Sequence, residues 1–320
     1  MSEQPLISIC TPVYNGEDFL AECIKGALAQ RYPNVEYIIV DNASTDRTPE
    51  IIERLCAGNS RVKVYRNEST VTVVENFRKC AEYISPQAKW IKYALADDYL
   101  YPNCLDEMLA VGELSETIGL VSAYRLYGGR LTNVGLPPDQ SVFSGAEILK
   151  KQLLRKLHVC SGSPNTIMYR KSAFDAAGGF DNRYLHTDTE LALRLLDKHE
   201  LGFAHCVFTR TGLHKDRQET RSIYTGLLIR DYLEFGFKNL DNYKSVKFSH
   251  EEIDALAGFY ARQIVEFFSK KAAHLDYEHI RLMLDSCPSE IRNKLFSTLV
   301  SGAGKNLKTF LRELRTMVTK

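Results

Sequence analysis

Two rhythms of apolar and polar positions alternate over the first hundred residues. "LISIC" (6–10), "VEYIIV" (35–40), "RVKVYR" (61–66) and "WIKYAL" (90–95) are short apolar runs rich in β-branched residues, and they predict strands. Between the first two, "EDFLAECIKGALAQ" (17–30) sets Phe19, Leu20, Cys23, Ile24, Ala27 and Leu28 on one helical face. "STDRTPE" starts a second helix, where Thr45 or Asp46 can cap and Pro49 suits the first turn. A third helix is expected over 71–84. This alternation predicts an α/β fold with a mostly parallel sheet covered by helices on both faces. Ligands of such sheets gather at the carboxyl ends of the strands. Those ends carry "TPVYNG", "DNASTD" and "ADDYLYP".

The pattern is less regular farther on. "LVSAYRLYGGRL" (120–131) predicts a strand with a turn at Gly128-Gly129, and "SGAEILKKQLLRKL" (144–157) a helix capped by Ser144. Residues 165–181 read as a strand, a short helix and a glycine stop, and 187–199 as a helix with acidic residues in its first turn. Strand signals end near residue 225. We therefore expect one α/β domain over 1–225 and a C-terminal helical region over 226–320. In the last stretch, 305–320, Leu307, Phe310, Leu311, Leu314, Met317 and Val318 share a face, and five basic residues stand against one acidic. Such a basic amphipathic helix suits an anionic membrane surface, or else packs its apolar face on the body of the protein or on a second subunit in self-association.

Composition narrows the class. The chain has 320 residues, 44% hydrophobic and 25% charged, ordinary for a soluble globular protein. A formal net charge of +1 gives no global nucleic-acid footprint. Eight cysteines without a CxxC pair read as reduced thiols. No apolar run approaches the roughly 18 residues of a membrane span, and no signal-peptide pattern opens the chain. The expected location is cytoplasmic, with peripheral contact at the inner membrane face as the variant that the basic tail suggests.

Several familiar chemistries are absent. No GxGxxG follows the first strand, no HExxH or Cys/His cluster offers a zinc site, and "SGAGKN" (301–306) lacks the Ser/Thr of a phosphate loop. What remains is carboxylates at strand ends. Asp97 and Asp98 stand together after an apolar run, although neighbouring carboxylates repel and resist burial. Either they start the helix near Pro102, or they hold a divalent cation, Mg²⁺ or Mn²⁺, as hard oxygen ligands. Asp41 ends the second strand and can accept hydrogen bonds from a base or ribose, or can serve as a turn residue. Pro12 and Tyr14 can wall a flat ring. Asp188 at a helix start can act as a base, or simply place a favourable charge there.

Taken together, "PLISICTPVYNGEDFLAECIKGALAQRYPNVEYIIVDNASTDRT", "NFRKCAEYISPQAKWIKYALADDYLYPNCLDEM" and "GGFDNRYLHTDTELALRL" resemble, in order, family 2 glycosyltransferases of the GT-A fold. The resemblance covers roughly residues 5–222. It implies an inverting, metal-dependent, non-processive hexosyltransferase-type enzyme of polysaccharide biosynthesis, acting on a nucleotide-diphosphate sugar, UDP by default. The acceptor would be a glycan or a lipid-linked molecule. It puts Pro12, Tyr14 and Asp41 in the nucleotide pocket, Asp97 and Asp98 on the DxD-type metal motif with Mn²⁺ or Mg²⁺, and Asp188 as the base. His214 resembles a late histidine that approaches the metal or diphosphate. Three positions depart from the pattern: Asn42 replaces the second acid of "DDGS", Leu95 or Ala96 the first acid of DxD, and Thr187 the glutamate of "ED". "QETRS" (218–222) lacks the tryptophan of processive synthases. A catalytically inactive nucleotide-sugar or glycan scaffold is the alternative these departures keep open. A sugar-1-phosphate nucleotidyltransferase would want a basic glycine-rich loop after the first strand, and "TPVYNGEDF" has none.

Overall fold

The computed structural model describes residues 4–160, 163–212, 227–271, 288–291 and 294. His214, "QETRS" and the tail at 305–320 lie outside the described residues. The chain divides into two compact units, 1–214 and 215–320.

The first unit opens as the alternation predicts. β1 (Leu6–Val13), α1 (Leu20–Leu28), β2 (Val35–Asp41), α2 (Thr48–Cys56), β3 (Val62–Arg66), α3 (Val73–Glu82) and β4 (Ala88–Tyr93) follow in turn. Parallel pairing sets these strands in the order β3-β2-β1-β4. Every residue of β2 is buried, as are seven of the eight in β1, which suits strands covered on both faces. α1 buries Leu20, Cys23, Ile24, Gly26 and Ala27. Gly26 is there for contact: a Cβ would come within 2.8 Å of the Leu100 carbonyl oxygen.

Beyond β4 the sheet becomes mixed. β5 (Asp98–Leu100), α4 (Cys104–Gly112), β6 (Ile118–Tyr127), β7 (Arg130–Thr132), β8 (Val142–Phe143) and α5 (Gly145–Leu153) come next. β9 (Ile167–Arg170), α6 (Lys171–Ala176), α7 (Thr187–Leu196) and β10 (Glu200–Thr211) complete the unit. The full order is β3-β2-β1-β4-β9-β6-β10-β5. β9 runs antiparallel between β4 and β6, β10 is parallel to β6, and β5 lies antiparallel on β10. Ser144 caps α5 through the Glu147 N–H, as its position suggests. Three strands, β5, β8 and β10, leave no clear mark in the hydrophobic pattern. β5 is three residues long, and β10 breaks its alternation with irregularities near 204–209.

The second unit contains α8 (Leu227–Leu233), a π-helical turn at Glu234–Lys238, a 3-10 turn at Leu240–Asn242 and α9 (His250–Lys271). The Tyr243 and Tyr260 hydroxyls donate to the carbonyls of Phe235 and Tyr232, pinning the π turn. Ser249 and Glu252 cap α9 reciprocally. Among the described residues no helix is long and apolar enough to cross a membrane. Seven cysteines there are free thiols, six of them buried.

Candidate active site

The sheet order itself locates a crevice. From β1 the chain steps outward to β2 and β3, then returns to place β4 on the other side of β1. Strand order reverses there, where neighbouring strands part and leave room for a ligand. The β1–β4 ladder ends at the Cys10–Tyr93 pair, and the Thr11 hydroxyl donates to the Ala94 carbonyl at 2.7 Å just past it. Pro12 sits buried beyond that point, in register with Val40 of β2. Tyr14 follows on the loop, 51% exposed.

The loops after β1 and β2 hold each other. The amides of Asn15, Gly16 and Glu17 donate to Ser44 Oγ, Thr48 Oγ1 and Asp46 Oδ2, at 2.9, 2.8 and 3.0 Å. In return the Thr45 and Arg47 amides donate to Asn15 Oδ1 and Glu17 Oε2. Arg47, not Thr45 or Asp46, stands at the N-cap of α2 with no side-chain cap bond, while Asp46 Oδ1 accepts the Thr48 N–H from one residue earlier and Pro49 lies in the first turn as expected.

Asp41 closes β2 and is buried. Its Oδ1 accepts the Ser44 N–H at 3.0 Å, and its Oδ2 pairs with the half-exposed Arg66 guanidinium at the end of β3. Arg66 also donates to the Ser44 carbonyl at 2.8 Å. Arg66 is absent from the sequence-based candidates, although a basic residue closing the third strand is the available signal. Asn42 is buried as well. Its Nδ2 donates to the Val71 carbonyl, while its Oδ1 accepts from the Val71 amide and from Asn67 Nδ2. Asn67 then reaches Asn76 on α3. An aspartate at 42 would lack the donor for Val71, which accounts for the amide there.

Asp97 and Asp98 do not start a helix. The Asp98 amide donates to the Leu95 carbonyl to close a turn, and α4 begins only at Cys104 with Asn103 before it. The buried Asp98 enters β5 in register with Thr211, and its Oδ1 accepts the Gly212 N–H at 3.2 Å. Ser163 Oγ lies 3.5 Å from its Oδ2. Gly212 is required by this crossing, because a Cβ would stand 2.1 Å from the Asp97 carbonyl oxygen. Both carboxylates line a cavity of about 560 Å³ with Asp18, Glu22, Phe19, Tyr99 and Arg210 among its walls. Pro12, Tyr14, Asp41 and Asp188 do not line it.

Asp188 sits in the first turn of α7, 8% exposed. Burial raises its pKa above the usual aspartate value, against the opposing pull of His186, the Thr189 amide and Arg125. Arg125, near the end of β6, donates through Nε to Thr211 Oγ1 at 2.8 Å. Thr211 is the register partner of Asp98, and the charge of Arg125 also acts on Asp188. The Thr187 hydroxyl accepts the Asp181 amide at 2.8 Å and so fastens the loop that leads into α7. Arg125 and Thr211 carry no signal in the sequence, since only the β6–β10 and β10–β5 pairings bring them together near Asp98.

Against this geometry, the sequence model of Glycosyl transferase family 2 matches residues 8–178. The chain belongs to that family. An uncharacterised glycosyltransferase of Rickettsia typhi is 27% identical over 294 residues, covering 88% of this chain and 85% of the relative. Two solved structures share the GT-A fold. S. aureus TarS 1-349 in complex with UDP-GlcNAc matches with a TM-score of 0.61 at 14% identity, covering 92% of this chain and 84% of its own. The Pyrobaculum calidifontis mannosyltransferase PcManGT with GDP-Man and Mn²⁺ has a TM-score of 0.58 at 14% identity, with the same coverage. For a family 2 glycosyltransferase the departures at 42 and 187 now have structural occupations, because both residues hold local hydrogen bonds.

Proposed function

We propose that this glycosyltransferase moves one sugar per encounter from a nucleotide-diphosphate sugar, UDP-linked by default, to a hydroxyl of a glycan or lipid-linked acceptor, with inversion. The observation that carries the reading is the buried, harder-to-ionise Asp188 at the start of α7, on which the charge of Arg125 acts while its Nε is fixed to Thr211 of the strand paired with Asp98. Asp188 accepts the acceptor hydroxyl's proton as that oxygen bonds the anomeric carbon and the bond to the diphosphate breaks. A base with a raised pKa holds the proton better once it has taken it. Pro12, Tyr14 and Asp41 wall the nucleoside, with Arg66 beside Asp41.

The donor set fits a divalent cation. The cavity wall carries Asp18, Glu22, Asp97 and Asp98 against Arg210, so an anionic diphosphate entering it needs added positive charge. Among the described residues no third His, Cys, Asp or Glu joins a ligand cluster. Asp97 and Asp98 would hold Mn²⁺ or Mg²⁺, with diphosphate oxygens completing the shell. When bound, the cation would neutralise charge on the departing diphosphate. His214 as a further contact is part of the same proposal, as are a catalytic domain ending near 225, a cytoplasmic location and membrane docking or self-association through 305–320.

Calorimetric titration of UDP and GDP with and without Mn²⁺ tests the site. Asp97→Ala and Asp98→Ala should each remove the metal-dependent part of the affinity and spare the rest. Equal metal dependence in wild type and both variants would refute the assignment. Nucleotide-sugar binding without hydrolysis or transfer would favour the inactive-scaffold reading instead.

A further inference from the structure

Lys92 is the penultimate residue of β4, fully buried, in register with Ile9 on one side and Met168 on the other. An ammonium is costly there unless fixed polar groups replace its water. Two backbone carbonyls do so: Lys92 Nζ donates to Asn165 O, and to Ile167 O at 3.3 Å. Those carbonyls belong to the 3-10 turn Pro164–Thr166 and the first residue of β9. The β4–β9 ladder ends at the Lys92–Met168 pair. Past that pair, the Lys92 ammonium fastens the turn to β4. The turn cannot rely on the Asn165 side chain for this, since its buried Oδ1 and Nδ2 have no hydrogen-bond partner among the described residues. At the head of the turn, Ser163 Oγ accepts the Asn165 amide at 3.2 Å and faces Asp98 Oδ2. Burial lowers the Lys92 pKa from its ordinary value, with Cys104 and Asp98 pulling the other way.

We propose that Lys92 is a positioning residue for the Asp97–Asp98 pair, acting through the 163–167 turn and the Ser163 hydroxyl. It touches neither substrate nor cation. It sets the place of the turn, and the turn's serine sets the orientation of the Asp98 carboxylate. Groups standing behind ligands in this way govern how well the ligands are pre-organised. The inference rests on reading the pair as the cation site.

The test is calorimetric titration of UDP and of GDP, each with and without Mn²⁺, on wild type, Lys92→Met, Ser163→Ala and the double variant. Methionine keeps the unbranched stem out to Cε and removes the donor. In Lys92→Met the metal-dependent gain in affinity should fall by about 10-fold or more, with metal-free affinity kept. Ser163→Ala should lose the same part of the gain. The double variant should be no worse than Lys92→Met, because both changes cut one path. A variant that merely lost packing would lower both affinities together, and that result overturns the proposal. So does a wild-type gain in Lys92→Met or in Ser163→Ala. Should Lys92→Met fail to fold, Ser163→Ala decides alone. A wild type with no metal-dependent gain would instead overturn the cation reading and this inference with it.

Discussion

Asp188 is a carboxylate that the fold has made harder to ionise, and the sign of that shift governs two measurements. As a base it works only when deprotonated, so the acid limb of the wild-type pH–rate profile should lie above the roughly 3.9 of an exposed aspartate. Asp188→Asn should keep nucleotide affinity and lose about 10²–10⁴-fold in transfer rate. Because its folded-state pKa is raised, the penalty for ionising Asp188 is absent below the unfolded value and grows as pH rises through the folded one. Thermal melts should therefore find Asp188→Asn no less stable than wild type at pH 7, with any advantage shrinking toward pH 4. A large loss of stability at pH 7 would contradict this account. Asn42 carries the opposite expectation. Asn42→Asp deletes the donor to Val71 and buries a charge among carbonyl and amide groups. Urea titration should show a loss of about 1–3 kcal/mol near neutrality, relieved in acid as the new carboxyl regains a proton. At this scale the residue types are readable from the chain, whereas their partners are not. Nothing local to "DNAS" announces Val71, Asn67 or Arg66, which converge on it only through the β2–β3 pairing.

The legible elements are those whose stability is written locally. The β-branched runs of β1 to β4 and the 3.6-residue stripe of α1 need no distant partner to be recognised, and all five form where the pattern puts them. β5 and β10 exist through pairing instead: three residues make a strand only because Thr209–Thr211 lie alongside them. The turn into β5 is likewise an element-scale matter, closed by the Asp98 amide on the Leu95 carbonyl, a backbone bond that no side chain announces. The turn after β2 holds a further consequence. Ala43 has φ of 57°, a left-handed conformation that a Cβ disfavours. Ala43→Gly should relieve that strain and stabilise the fold by up to about 1 kcal/mol, the greater freedom of unfolded glycine offsetting part of the gain. Comparison of urea midpoints checks this, and a glycine variant less stable than wild type would mean that the alanine methyl is held by packing.

For the molecule as a whole, nucleotide choice is read through stability. A thermal-shift panel of UDP, GDP, dTDP and CMP, each with and without Mn²⁺, should single out one nucleotide, with UDP expected. At a hundred times its dissociation constant the right ligand adds about 2.7 kcal/mol of stability. Uniform shifts across the panel would show that the base is not read. The reciprocal bonding of the loops after β1 and β2 also determines how that half of the crevice breathes. The amide protons of Asn15, Gly16, Glu17, Thr45 and Arg47 each end on a side chain of the opposite loop or helix start. The bonds of Asn15, Gly16 and Glu17 are buried or half-buried, whereas those of Thr45 and Arg47 are exposed. Deuterium should therefore enter the first three with a common opening free energy, as one cooperative unit, and a nucleotide resting on either loop should slow their exchange.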